Sequence, residues 1–338
     1  MLMLPFHSSA SVPPEASYFF AIWTTSPESL APRHVRAIES VCRWHPRATV
    51  DVLSNSLSGG FFALQRRAGC NINVKPYDLR ALVSGSPAQV WYSFRRFWNR
   101  SSFFPNHEAD LLRLLILHKR GGVYVDTDVV FTRPFHFDGC TGVVGIEDGR
   151  GGQPAPHMAA ESRSLTPTQG DLVPRSVAEQ LPPNAVLCNA VMGFAAGATA
   201  IRSAVDTFVR EYVPLTPGLS MLELHARGEW GAMGPMLLTR IARRNLASNG
   251  QLCILERAAF YPISPADMSK YLGAWDEARD PYVWERLQAR SVAVHYWNAL
   301  TKHLPLVCGS LMHRLLETNC MRGSETATCV SKLPCESF

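Results

Sequence analysis

Apolar and polar positions along the first part of the chain follow two alternating periods. The runs "SYFFAIW" (Ser17 to Trp23) and "ATVDVLS" (Ala48 to Ser54) are short, β-branched or aromatic, and predict buried strands. Between them "PRHVRAIESVCRWHP" (Pro32 to Pro46) spaces its apolar residues three and four apart, which predicts an amphipathic helix closed by proline. A helical stretch near Phe61 to Arg67 then leads into the strand-like "NINVKPY". Strand–helix–strand alternation of this kind predicts an α/β fold with a mostly parallel central sheet. Further on, "EADLLRLLILHKR" (Glu108 to Arg120) predicts a helix of strong formers, stopped by Gly121 and Gly122 and followed at once by the strand "VYVD". From Asp148 to Pro183 the pattern dissolves into Gly, Pro, Ser and Gln, which predicts a long mobile loop or insertion. Helices and short strands resume from Val186 to about Leu316, including "SVAVHYWN" (Ser291 to Asn298), and no internal repeat occurs. The expected organisation is a leader over 1–16, one domain over 17–318 carrying the 148–183 loop, and a cysteine-containing tail over 319–338.

Composition adds limits more than direction. A chain of 338 residues with 46% hydrophobic and 18% charged content is ordinary globular protein, long enough to bury a sizeable core. The net charge of +5 is spread along the chain; without a block of like charge it argues against nucleic acid, and it suits an anionic substrate or a membrane surface without selecting either. No run approaches the roughly 20 apolar residues that span a bilayer. "MLMLPFHSSASVPPEAS" lacks a basic start and is a poor signal peptide, so any anchor is expected in a segment not present here. Nine cysteines show no C-x-x-C spacing for zinc. The first six are expected to be buried small hydrophobes, the last three to suit disulfides in an oxidising lumen, and the odd total leaves one thiol unpaired. Asn99-Arg100-Ser101 is a single glycosylation sequon.

The candidate chemistry sits in "GGVYVDTDVVF" (Gly121 to Phe131). Asp126 and Asp128 stand one residue apart in an apolar run, and buried charge is costly unless paired. At i and i+2 of a strand they share a face, and the carboxyl end of a strand is where open α/β sheets bind ligands. Two hard oxygen donors so placed suit Mg²⁺ or Mn²⁺ shared with phosphate oxygens; the plain alternative is a solvated strand-to-turn junction. Asp110 and Arg113 are three apart on one face of the preceding helix. The glycine pair forces that helix to run antiparallel to the strand, which brings Asp110 beside the strand's carboxyl end. A surface ion pair would explain the same spacing.

"ADLLRLLILHKRGGVYVDTDVVFTRPF" resembles the DXD signature of glycosyltransferase family 32. "GPMLLTRI" followed by "AAFYPI" (Gly234 to Ile263), "VAVHYWN" and the earlier "LCNAVMGF" are similar to blocks of the α-1,4-glycosyltransferases, in family order. The resemblance implies a GT-A-type, Rossmann-like nucleotide-sugar-binding fold and a retaining, metal-dependent enzyme. Such an enzyme moves a hexose or N-acetylhexosamine from a UDP-sugar to a glycan or glycolipid, with an α-1,4 linkage, in the Golgi lumen. It implies that Asp128 holds Mn²⁺ (or Mg²⁺) and the diphosphate, with Asp126 on ribose, sugar or metal and His295 as a further metal ligand. Asp110 and Arg113 would grip the donor sugar, supported by Tyr124. Trp297 and Asn298 would lie at the diphosphate, Trp23 on the uracil, and Asn189 on the sugar. Read without the resemblance, His295 is a core histidine, Trp23 and Trp297 are core aromatics, and Asn189 caps a turn. Relatives carry a polar residue in the segment where this chain has Ala232 and Met233, which bears on specificity or activity.

Two rival readings remain from the sequence. "DTDVV" also fits the first motif of haloacid-dehalogenase phosphatases, with Asp126 as nucleophile, but the second acidic pair such enzymes need is missing after Asp128. A catalytically degenerate sugar-nucleotide-binding relative is the other.

Overall fold

In the computed structural model, residues 16–98, 103–136, 139–147, 181–212, 231–247, 252–274, 282–323 and 328–337 are described. The expected leader, the 148–183 loop and the sequon lie outside them, apart from Ala16 and residues 181–183. Nine strands are present among these residues: β1 (Tyr18–Ile22), β2 (Thr49–Leu53), β3 (Ile72–Lys75), β4 (Gly122–Val125), β5 (Val129–Phe131), β6 (Gly142–Glu147), β7 (Val186–Phe194), β8 (Leu252–Leu255) and β9 (Ala293–His295). Seven form one sheet in the order β3-β2-β1-β4-β7-β6-β8, and β5 pairs with β9 in a separate two-stranded ladder. Neighbours in the large sheet are parallel except where β7 runs against β4 and β6. The mostly parallel α/β sheet expected from the alternation is therefore present.

The strands read as near-continuous apolar runs because both faces are covered. One face packs under the helix α1 (Pro32–Trp44), the β5–β9 ladder and the C-terminal residues. The other packs under α2 (Phe104–Arg120), α3 (Thr199–Tyr212) and α4 (Pro235–Ala247). Helix α2 starts four residues before the predicted Glu108, because Pro105 fits the first turn, where its missing N–H costs nothing. At its far end Gly121 and Gly122 take φ of 67° and 100°. A Cβ on Gly122 would lie 2.8 Å from the Tyr18 carbonyl oxygen and closer still to its ring. Only glycine lets β4 leave the helix and pair with β1 at once.

The cysteine expectation is corrected. Among the first six, Cys42–Cys70 and Cys140–Cys253 are disulfides, and Cys308 pairs with Cys335. Cys320–Cys329 closes the tail as expected, and Cys188 is the buried unpaired thiol. Partners 28 and 113 residues apart leave no local spacing to read; only the parallel sheet and its crossovers bring them together.

Candidate active site

The aspartate pair does not lie along one strand, as the i, i+2 argument expected. Strand β4 ends at Val125, and the chain turns through Asp126, Thr127 and Asp128 before re-entering as β5 in the other sheet. Asp126 N–H donates to the Ala190 carbonyl at 2.8 Å, and Val129 N–H donates back to the Asp126 carbonyl at 3.2 Å. A turn, more than strand alternation, therefore aims both half-buried carboxylates.

The β5–β9 ladder decides what they meet. Val129 pairs with His295, and Tyr296 N–H donates to the Asp128 carbonyl at 3.0 Å. His295 Nε2 thus reaches Asp128 Oδ2 at 3.0 Å, and Asn298 N–H donates to the same oxygen at 2.7 Å. One candidate ligand atom each from Asp126, Asp128 and His295 lie within 4.8 Å of one another. Burial alone would raise the Asp128 carboxyl, but His295 and the Asn298 N–H hold it below its ordinary value. Asp126 moves the other way, raised by burial and by neighbouring Asp128 against the pull of Arg113. Burial would lower His295, yet Asp128 raises it. Asp128 is therefore the more acidic member of the pair.

A second run of contacts leads from Asp126 toward α2. The Tyr124 hydroxyl donates to Asp126 Oδ1, and Arg113 stands over the Tyr124 ring at 4.4 Å. Arg113 Nη1 is 3.5 Å from Asp126 and donates to the Asn189 carbonyl at 3.0 Å, while Nη2 is 3.4 Å from Asp110. Asn189 Nδ2 closes the set by donating to Asp110 Oδ1 at 2.8 Å. Asn189 can reach there because β7 bulges: Val144 pairs with Met192 but Gly145 with Cys188, so residues 189–191 stand out of the β6 ladder. Burial pushes the Asp110 carboxyl up to about 6.

The structure thus gathers Asp110, Arg113, Tyr124, Asp126, Asp128, Asn189, His295 and Asn298. The other two expected residues stand further out. Trp297 turns its indole inward, 4.1 Å from the His295 ring centroid, with its N–H on the Ile263 carbonyl at 3.0 Å. Trp23 sits just past the carboxyl end of β1, half-buried, its ring 5.3 Å from that of His34. Ala232 and Met233 lie on the turn before α4, next to Gly234.

Sequence reasoning missed two contributors. A Cβ on Gly234 would stand 2.5 Å from Asn189 Nδ2 and 2.9 Å from Asp110 Oδ2, so the backbone here rests directly on that pair. Its signal was the Gly-Pro step opening α4. The Tyr261 hydroxyl accepts from Val191 N–H at 3.2 Å, beside the bulge, and its ring packs 6.0 Å from His295. It stood in the "AAFYPI" block without a role assigned.

With this geometry in hand, the comparisons with known proteins place it. Residues 31–146 match the family described as glycosyltransferase sugar-binding region containing DXD motif, and residues 220–327 match the alpha 1,4-glycosyltransferase conserved region. The chain is 26% identical over 277 residues to human lactosylceramide 4-alpha-galactosyltransferase, covering 78% of this chain and 63% of that one. It is 24% identical over 270 residues to human alpha-1,4-N-acetylglucosaminyltransferase, covering 75% and 61%. The chain therefore spans somewhat under two thirds of the length of these curated relatives. Among solved structures it is similar to the PaToxG glycosyltransferase, with 15% identity, a TM-score of 0.44, and 70% of this chain and 72% of that chain covered. The sequence regions matched are those of DXD-type glycosyltransferases, and the Asp126–Asp128 pair lies within the first of them. More narrowly, the chain carries matches to this sugar-binding region and to the α-1,4-glycosyltransferase conserved region one after the other, on the mostly parallel α/β sheet described above.

Proposed function

We propose that this chain transfers a hexose or N-acetylhexosamine from a UDP-sugar to a glycan or glycolipid acceptor, forming an α-1,4 linkage with retention at the anomeric carbon. The observation that carries the reading is the convergence of Asp126, Asp128 and His295 with the Asp110–Arg113–Asn189 set at one end of the sheet.

The donor set fits a divalent cation. Two carboxylate oxygens and an imidazole nitrogen favour Mn²⁺ over Mg²⁺, which prefers oxygen alone. The imidazole nitrogen of His295 and the Asp128 carboxylate oxygen, 3.0 Å apart, are both groups a divalent cation accepts as ligands. Asp128, His295 and Asp126 would hold such a cation, which would supply positive charge against the charge that develops on the departing diphosphate. Asp110, oriented by Asn189 and Arg113, accepts hydrogen bonds from hydroxyls of the donor sugar. Arg113 grips the sugar end while bracing both acidic residues, and Tyr124 fixes Asp126. Trp23 offers an indole face to the uracil, and Asn298 borders the diphosphate. No carboxylate stands free as a dedicated nucleophile among these groups, which favours same-face attack assisted by the leaving phosphate. The four disulfides suit an oxidising lumen, in keeping with a Golgi location. Among the described residues, no helix is long and apolar enough to cross a membrane.

The test is UDP release from a panel of nucleotide-sugars with Mn²⁺. Wild type should turn over at least one UDP-sugar, EDTA should stop it, and Asp128→Asn should lose about 100-fold or more in kcat with its fold intact. Activity indifferent to EDTA or retained in Asp128→Asn contradicts the reading. Binding of UDP without turnover of any donor would mark a degenerate relative instead.

A further inference from the structure

Residues 189–191 of β7 have no partner in the β6 ladder, yet much of the site hangs on them. Asn189 Nδ2 donates to Asp110 at 2.8 Å, the Asn189 carbonyl accepts from Arg113 at 3.0 Å, and the Ala190 carbonyl accepts from the Asp126 N–H at 2.8 Å. A stretch lifted out of its ladder must find other partners for its backbone. Tyr261, 1% exposed and just past the helical turn Arg257–Phe260, supplies them. Its hydroxyl accepts from Val191 N–H at 3.2 Å and donates to the Cys188 carbonyl at 3.5 Å. One oxygen thus spans both ends of the bulge. Gly145, the β6 residue paired with Cys188, makes the room: a Cβ there would lie 2.9 Å from Tyr261 Cε2 and 2.6 Å from Phe260 Cδ2. The same Tyr261 ring packs edge-on against His295, with centroids 6.0 Å apart.

We propose that Tyr261 is a positioning residue whose hydroxyl sets the β7 bulge, and with it the groups that meet the donor sugar, while its ring backs the cation-holding His295. The inference rests on the functional reading above. The two tasks fall on different atoms of one side chain. Without the hydroxyl, Val191 N–H is buried with no partner, and the bulge shifts to satisfy it. Asp126 is held separately by the Tyr124 hydroxyl and by its own turn, so the shift falls on Asn189 and the Asp110–Arg113 pair that Asn189 orients. Misplacement of about an ångström near reacting groups costs on the order of 100-fold in rate. The ring acts by packing, which keeps the imidazole turned toward Asp128. Support of that kind behind a metal ligand commonly tunes affinity by about 10- to 100-fold.

The test separates hydroxyl from ring. Tyr261→Phe removes only the oxygen, and Tyr261→Leu removes the ring as well. Leu316→Ala, a buried position in the helix Leu311–Thr318, controls for lost stability, with thermal melting run on all three. In Tyr261→Phe the Val191 amide should exchange about 10-fold faster. Its kcat/KM for the UDP-sugar that wild type turns over should fall about 10- to 100-fold, while calorimetry with Mn²⁺ alone and UDP alone stays within about twofold of wild type. Tyr261→Leu should also bind Mn²⁺ about 10-fold more weakly. Leu316→Ala should melt earlier and keep both affinities and kcat/KM. Wild-type kcat/KM in Tyr261→Phe, Mn²⁺ affinity lost equally in both Tyr261 variants, or an equal fall of kcat/KM in Leu316→Ala overturns the proposal. Unchanged Val191 exchange in Tyr261→Phe overturns it alone, whereas wild-type protein that binds neither Mn²⁺ nor UDP overturns the functional reading itself.

Discussion

At the scale of single residues, the site works by giving neighbouring acids different jobs. Asp128 stays charged because His295 and a backbone N–H face it, whereas Asp110 is wrapped in protein and offered one amide and one guanidinium. Because the folded carboxyl of Asp110 titrates at about 6 and the free side chain at 3.8, the folded state holds a proton that the unfolded chain has released between those values. Stability from this group is therefore present at low pH and falls as pH rises through roughly 4 to 6, by about 3 kcal/mol in all. Asp110→Asn should lack that component. Urea unfolding at pH 4.5 and 7.5 should show wild type losing more stability than the variant over that rise; parallel losses would refute the assignment. Spacing marked Asp126, Asp128, Asp110 and Arg113 as candidates while leaving a turn junction and a surface ion pair open. Tyr261 and Gly234 were not legible, since a buried tyrosine and a helix-leading glycine look alike whether or not they face a site.

At the scale of elements, the site depends on places where regular structure breaks. The β7 bulge presents Asn189, the turn after β4 presents the aspartates, and the turn before α4 sets the Gly234 backbone on Asp110 and Asn189. Gly234→Ala should push that pair apart by a fraction of an ångström to an ångström. Misplacement of that size near reacting groups costs on the order of 100-fold. We expect kcat/KM for the donor to fall by about that factor while Mn²⁺ affinity, set at the other end, stays within twofold. A variant with unchanged kcat/KM would show that the turn yields without disturbing the acid. The strands β1 to β3 and the helices α1 and α2 followed from hydrophobic period. The bulge and the two-stranded ladder did not, because strand pairing between distant segments leaves no trace in local period.

At the scale of the whole molecule, the two sheets found among the described residues and four disulfides hold the frame. Cys140–Cys253 joins the segment before β6 to β8, closing 113 residues. Loops of that length lose the most unfolded-state entropy when cross-linked, about 4–5 kcal/mol in the chain-entropy account. Replacing both cysteines with serine should lower the melting temperature by roughly 8–20 °C, if a domain of this size shifts by 2–4 °C per kcal/mol near its midpoint. Calorimetry under oxidising conditions would show it, and an unchanged midpoint would mean the bridge adds nothing. The distribution of thiols was the least legible feature, since pairing depends on a topology that only the folded sheet defines.

The β5–β9 ladder has a consequence for how the protein comes into being. The residues that meet at Asp128 come from segments 170 positions apart, and they are neighbours only because one short antiparallel pairing crosses the molecule. A nascent chain emerging from the ribosome presents its acidic turn long before its histidine exists. Until the C-terminal segment arrives, the β5 edge stands unpaired and the carboxylates have no imidazole beside them. Closure of the candidate centre is thus a late event of biogenesis, and a chain truncated before Val294 would have a sheet but no completed centre.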